Sequence, residues 1–229
     1  MPEVKILKNI LDVNETKARA NRELFASRGI LAVNLIASPG AGKTTLLERT
    51  IRGLSGTRKL AVIEGDITGD HDARRIEALG VPVVQVNTEG GCHLDAHMVL
   101  NSLESLDLGS LDLLFIENVG NLVCPAEFDL GEAFKAVVLS TPEGDDKPAK
   151  YPLIFSEAGV VVINKIDLLS SVDFDLPKAE RDIRRLNPEA PIFGLSCRTG
   201  QGFEAWLKWL SDKGQISGAR QQGLAAGSS

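Results

Sequence analysis

The stretch ILAVNLIASPGAGKTTLLERTIRGL, residues 30–54, limits the chain more than any other. Its first eight residues carry one polar side chain and no alternation, the pattern of a strand buried on both faces. Turn-forming and small residues follow, and an amphipathic helical pattern opens at Lys43. Strand, glycine-bearing loop and helix in that order make a P-loop: backbone N–H groups wrap phosphates, and the helix N-terminus adds its dipole. Within ASPGAGKTT (37–45), Gly40, Ala41, Gly42 and Thr45 belong to this cradle. Lys43 reaches the β- and γ-phosphates, and the Thr44 hydroxyl meets Mg²⁺. The usual pattern begins on glycine; Ala37 makes this a variant.

The same alternation runs on. LAVIEG, VPVVQV, LDLLFIEN, KAVVLS, GVVVIN and APIFGLS read as further strands. Helical patterns lie between most of them, notably over 94–105, 175–186 and 202–212. Non-alternating strands separated by helices predict an α/β fold of P-loop NTPase type, a mostly parallel doubly wound sheet with helices on both faces. Three parts are expected: a helical segment over 1–28 ended by Gly29, a P-loop GTPase domain over 29–212, and a disordered tail over 213–229 without apolar period. No apolar run is long enough for a bilayer, and the charged N-terminus does not read as a signal peptide, so a cytoplasmic protein without membrane contact is expected. Three cysteines argue against a disulfide framework. A net charge of −6 and a pI near 5.2 argue against nucleic acid as partner.

Choice of base comes from NKID (164–167), directly after a strand. The Asp167 carboxylate can accept hydrogen bonds from guanine N1–H and its 2-amino group; adenine would leave it unpaired. Asn164 and Lys165 fix the base from edge and face. Alone, the motif could be a helix-capping turn. Behind a P-loop and ahead of SCRTG (196–200) it predicts GTP and GDP as ligands. Ser196 and Cys197 form the loop that closes over guanine, which makes Cys197 a base-loop residue and not a metal ligand. EGD (64–66) and ENVG (117–120) are acidic strand ends, and Asp66 and Glu117 are expected to hold Mg²⁺ through its waters, with Thr44. Asp70 and Asp72 read equally as first-turn helix acids. Asn121 follows Gly120 where a water-orienting glutamine could stand, so unassisted hydrolysis is expected to be slow. Lys43, Thr44, Asp66 and Glu117 are the candidate catalytic residues.

GGCHLDAH (90–97) concentrates two of the three histidines and one of the three cysteines. Cys92 and His93 follow one strand, and Cys124 follows Glu117 by seven residues, so two loops at the sheet's carboxyl edge bring three donors together. Adjacent residues can both ligate only from a turn, which Gly90 and Gly91 permit. Thiolate and imidazole suit Zn²⁺ or Ni²⁺, and a tetrahedral site needs a fourth donor from His97 or a second chain. The plain alternative is a small buried cysteine and a surface histidine.

Taken in order, SPGAGKTTLL, EGDITGDHDARR, GCHLDAHMV, FIENVGNLVCP and NKIDLL resemble the HypB family of hydrogenase nickel-incorporation GTPases over roughly residues 5–212. The most specific elements are the contiguous Cys-His pair and Glu-Asn-x-Gly-Asn-Leu-x-Cys-Pro; the UreG urease-accessory GTPases carry Cys-Pro-His instead. The resemblance implies a SIMIBI-type G protein in the cytoplasm that helps deliver nickel to the [NiFe]-hydrogenase large subunit. It implies work with a HypA-type metallochaperone, a homodimer favoured by nucleotide, and Zn²⁺ or Ni²⁺ on Cys92, His93 and Cys124. Neither a Cys-x-x-Cys-Gly-Cys motif nor a histidine-rich run is present, so metal handling is expected to rest on the G-domain site. Competing readings are a urease-maturation GTPase, a nucleotide-gated nickel or zinc store, and a P-loop kinase. The missing histidine run weighs against the store, and the guanine motif against the kinase.

Overall fold

A computed structural model describes residues 2–66, 69–88 and 90–225. Helix α1 (Pro2–Arg28) precedes β1 (Leu31–Ala37), with Gly29 at φ 68° turning the chain between them. The chain continues through α2 (Lys43–Leu54), β2 (Leu60–Asp66), α3 (His71–Glu77), β3 (Val83–Asn87), α4 (Ala96–Leu103) and β4 (Leu113–Glu117). Short α5 (Cys124–Glu127) leads to β5 (Phe134–Ser140), then to the equally short α6 (Lys147–Lys150) and α7 (Pro152–Ser156). The remainder is β6 (Ala158–Asn164), α8 (Leu176–Leu186), β7 (Ile192–Gly194) and α9 (Phe203–Ala225). Helical backbone in α9 thus passes residue 212, where the tail was expected to begin; 226–229 lie outside the described residues.

All seven strands pair in parallel, in the order β3-β2-β4-β1-β5-β6-β7. The chain leaves β1 towards one side for β2 to β4 and returns to its other side for β5. Such a reversal of strand order opens a crevice at the carboxyl ends, the place where α/β sheets bind ligands.

Side-chain parity along the strands assigns the two faces. Leu31, Val33, Leu35 and Ala37 of β1, Leu60 and Val62 of β2, and Leu113 and Phe115 of β4 share one core with α2 and α9. The alternate residues Ala32, Ala61, Ile63, Leu114 and Ile116 share another with α1 and α4. A third core lies beneath α5, α7 and α8.

On the α2 face, Trp206 is fully buried and its Nε1 donates to Thr50 Oγ1 at 2.9 Å, while Thr50 donates to Leu46 O. Indole and hydroxyl therefore lock α9 onto the helix that carries the P-loop. Trp206→Ala is expected to lower the unfolding free energy by about 3–5 kcal/mol, through the cavity and the lost bond to Thr50 Oγ1. Urea denaturation checks it; an unchanged midpoint would mean that α9 does not support the P-loop helix.

Candidate functional site

The P-loop takes its shape from backbone conformations that need glycine. Gly40 and Gly42 sit at φ 78° and 99°, and a Cβ on Gly42 would stand 2.6 Å from Asn164 Nδ2. The loop opens onto a cavity of about 480 Å³ whose lining includes Gly40, Lys43, Thr44, Thr45, Asp66 and Glu117. The expected phosphate and Mg²⁺ residues are thereby brought together.

Glu117 is buried, and its Oε1 accepts from the Thr44 hydroxyl at 2.8 Å. Opposite it in the parallel register lies Glu64, also buried. Glu64, Asp72 and Glu117 place carboxylate oxygens within 4.8 Å of one another. Burial pushes Glu64 up to about 8, with Glu117 and Asp66 adding to the rise. Burial likewise pushes Glu117 up to about 7, against the pull of Lys43 and the Thr44 hydrogen bond. Glu64 Oε2 and Glu117 Oε2 have no hydrogen-bond partner. Crowded buried carboxylates with open oxygens fit a hard divalent cation. Asp66 lines the same cavity, its Oδ2 accepting from Gly69 N at 3.1 Å, but it is not among the three.

Two of these residues were not singled out from sequence. Glu64 has the strand parity of Leu60 and Val62, which aims it at the P-loop helix; that parity was the available signal. Arg75 lines the cavity too, held by Glu48 (2.9 Å) and Asp72 (2.9 Å). Arg75 thus ties α3 to α2 and holds Asp72 near the carboxylates. Asp70 turns away and pairs with Arg74. The structure separates two aspartates that sequence left equivalent.

Asn164 and Lys165 make their contacts with protein. Asn164 Nδ2 donates to Ala41 O at 2.9 Å, and Asn164 Oδ1 accepts from the N–H groups of Lys165 and Cys197. Lys165, at φ 63°, reaches Gly40 O with its Nζ at 2.6 Å. These bonds bind the NKID turn and the SCRTG loop to the P-loop. Asp167 Oδ1 is buried without a partner. Ser196 is buried and its Oγ accepts from Thr199 N, while burial pushes the Cys197 thiol up to about 12. Cys197 stands apart from the other two cysteines, its backbone N–H bonded to Asn164 of the NKID turn.

Cys92, His93 and Cys124 converge. Their donor atoms lie within 4.8 Å of one another. The two sulfurs are 2.7 Å apart, beyond the ~2.05 Å of a disulfide, and Cys92 Sγ is 3.5 Å from His93 Nδ1. Cys92 and His93 lie in the irregular loop after β3, where adjacent side chains can both turn inward, and Cys124 opens α5 beyond β4. The His93 ring lies against Phe128 with centroids 3.9 Å apart, and burial pushes its pKa down, which favours the neutral, ligating imidazole. The donors fit Zn²⁺ or Ni²⁺. His97 is outside this cluster: its Nε2 lies 3.3 Å from Asn101 Nδ2. Among the described residues the cluster has three donors.

A P-loop at the switch point of this parallel sheet, with a guanine-type turn beside it, defines a nucleotide-binding G-protein domain of the SIMIBI type. The model for the nucleotide-binding domain of CobW, HypB and UreG proteins matches residues 31–194. The hydrogenase maturation factor HypB of Azotobacter chroococcum mcd 1 is 53% identical over 90% of this chain and 68% of its own length. The crystal structure of hydrogenase maturation factor HypB from Archaeoglobus fulgidus is 40% identical, superposes with a TM-score of 0.84, and is matched over 89% of this chain and 99% of its own. The crystal structure of HypB from Helicobacter pylori in complex with nickel is 39% identical, again with a TM-score of 0.84, over 89% of this chain and 95% of that one. This chain belongs to the HypB family of hydrogenase maturation factors. No helix among the described residues is long and apolar enough to cross a membrane.

Proposed function

We propose that the chain is a GTP-binding, slowly GTP-hydrolysing switch that assists nickel insertion into [NiFe]-hydrogenase. One observation carries the reading: β4, whose end lines the phosphate cavity through Glu117, continues to Cys124, and Cys124 lies against Cys92 and His93 of the loop after β3. Asp167 reads guanine, Lys43 meets the β- and γ-phosphates, and Thr44, Asp66 and Glu117 hold Mg²⁺, with Glu64 and Asp72 beside them. Bound Mg²⁺ neutralises charge on the phosphate oxygens. Cys92, His93 and Cys124 take Ni²⁺ as cargo or Zn²⁺ in its place. A facing copy of this chain supplies the missing donor, so nucleotide and metal both favour a homodimer. A HypA-type metallochaperone and the hydrogenase large subunit are the partners, in the cytoplasm. The hydrogenase reading is favoured over urease maturation because the Azotobacter chroococcum and Archaeoglobus fulgidus relatives are named for hydrogenase alone, while the Helicobacter pylori relative, 41% identical, is named for both.

Two tests bear on this. Cys92→Ala and Cys124→Ala are each expected to weaken Ni²⁺ and Zn²⁺ binding by at least about a hundredfold, since even partners of ligands contribute 10- to 100-fold. Isothermal titration decides, and wild-type affinity in both variants would remove the metal site. Unassisted turnover is expected to be on the order of 10⁻³ s⁻¹, as for G proteins without a supplied arginine. Single-turnover phosphate release measures it; a rate of several per second would mean that the chain carries its own complete hydrolytic apparatus.

A further inference from the structure

Nucleotide and metal loops meet on opposite faces of the sheet. On β4, Glu117 faces the P-loop helix, and the next residue, Asn118, turns to the other face. On β2, Glu64 faces the P-loop helix and Gly65 turns away. Leu94, next to His93, touches both of the residues that turn away. Its backbone N–H donates to Asn118 Oδ1 at 3.0 Å, and its side chain is so close to Gly65 that a Cβ there would lie 2.7 Å from Leu94 Cγ. Leu94 is fully buried in the core beneath α4.

Asn118 is itself held from behind. Its Nδ2 donates to Asn34 Oδ1 at 3.3 Å, and Asn34 Nδ2 donates to Glu132 Oε1 at 3.1 Å. Glu132 Oε2 accepts from Leu130 N at 2.7 Å, two residues beyond the Phe128 ring that lies on His93. Asn34, Asn118 and Glu132 are all buried. Three polar side chains in an apolar interior are costly unless each is paired, and here each is paired along one line. That line runs from the metal loop, behind Glu117, to the support of His93.

We propose that Asn118 is a positioning residue that couples the nucleotide site to the metal site, by holding Leu94 against the strand ends that carry Glu64 and Glu117. The inference rests on the nucleotide-linked metal switch proposed above. Any movement of Glu117 on nucleotide exchange carries Asn118 with it, and Asn118 pulls the N–H that follows His93. A purely structural role would stabilise the loop equally in both nucleotide states.

Nickel affinity is to be measured by titration of the full chain with GDP and with a non-hydrolysable GTP analogue. Wild type is expected to show a ratio of about 5- to 150-fold between the two states. Asn118→Leu, which removes the acceptor, should collapse that ratio to within about twofold. Asn118→Gln, which keeps both an acceptor for the Leu94 N–H and a donor for Asn34, should hold a ratio much nearer to that of wild type than Asn118→Leu does. A wild-type ratio present and unchanged in Asn118→Leu overturns the role of Asn118 alone. A wild-type ratio of one overturns the switch and this inference together. Should Asn118→Leu fail to fold, amide exchange at Leu94 in wild type gives the answer. Its protection is expected to differ at least about tenfold between nucleotide states, and equal protection overturns the proposal.

Discussion

Asp167→Asn is expected to reverse the choice of nucleotide, lowering GDP affinity by a factor on the order of 10³–10⁴ while raising affinity for XDP. The carboxylate has a buried oxygen without a partner, in a turn whose Asn164 and Lys165 are both bonded to the P-loop. Guanine presents N1–H and a 2-amino group, two donors for one carboxylate. A carboxamide still accepts from N1–H, but its NH₂ then faces the 2-amino group, donor against donor. Xanthine has an oxygen at that position and accepts. Because Asn164 and Lys165 keep their bonds to Ala41, Gly40 and Cys197, the turn itself should survive the change. Competition of GDP and XDP against a fluorescent nucleotide measures the shift. Unchanged GDP affinity would remove Asp167 from base recognition.

Lys43→Ala is expected to reduce GTP hydrolysis by about 10³-fold or more, as removal of a charge aimed at the transition state does. In the reaction, water adds to the γ-phosphorus, the bond to the β–γ bridging oxygen breaks, and GDP leaves with the negative charge. Lys43 opens α2, lines the cavity and is the cation expected to meet that charge. It also offsets the crowding of carboxylates, lowering the pKa values of both Glu64 and Glu117. Its loss therefore weakens the phosphate contact and adds to repulsion around Glu117. Phosphate release under single-turnover conditions reads the effect. Hydrolysis at the wild-type rate would place the activity outside this cavity.

The sheet was legible because its strands are buried on both faces, which leaves apolar runs such as VVVI without alternation. The same physics made the site legible in outline. Chemistry-bearing residues just after such runs must emerge at the carboxyl edge, as Glu117, Asn164 and Cys124 do. Helices α5, α6 and α7 were not legible. Four or five residues begun around Pro125, Pro148 and Pro152 are too few to show a helical period. Partner choice was hidden as well. Asn34 stood in plain view inside ILAVNLIA, but that its amide meets Glu132, 98 residues away, depends on how β1 lies against the loop before β5. The fate of His97 followed the same rule: one helical turn from His93 in sequence, it rests on α4 against Asn101.

Bound nucleotide is expected to set this chain's hold on metal. Titrating Ni²⁺ and Zn²⁺ into the wild-type chain with GDP or with a non-hydrolysable GTP analogue, with sedimentation run alongside, tests it most directly. Metal affinity is expected to differ by about tenfold between the GDP and GTP states, the ratio of GTP to GDP affinities to change by the same factor when metal is added, and the dimer to be favoured by both. Equal metal affinities in the two states, with no change in sedimentation, would contradict this dependence.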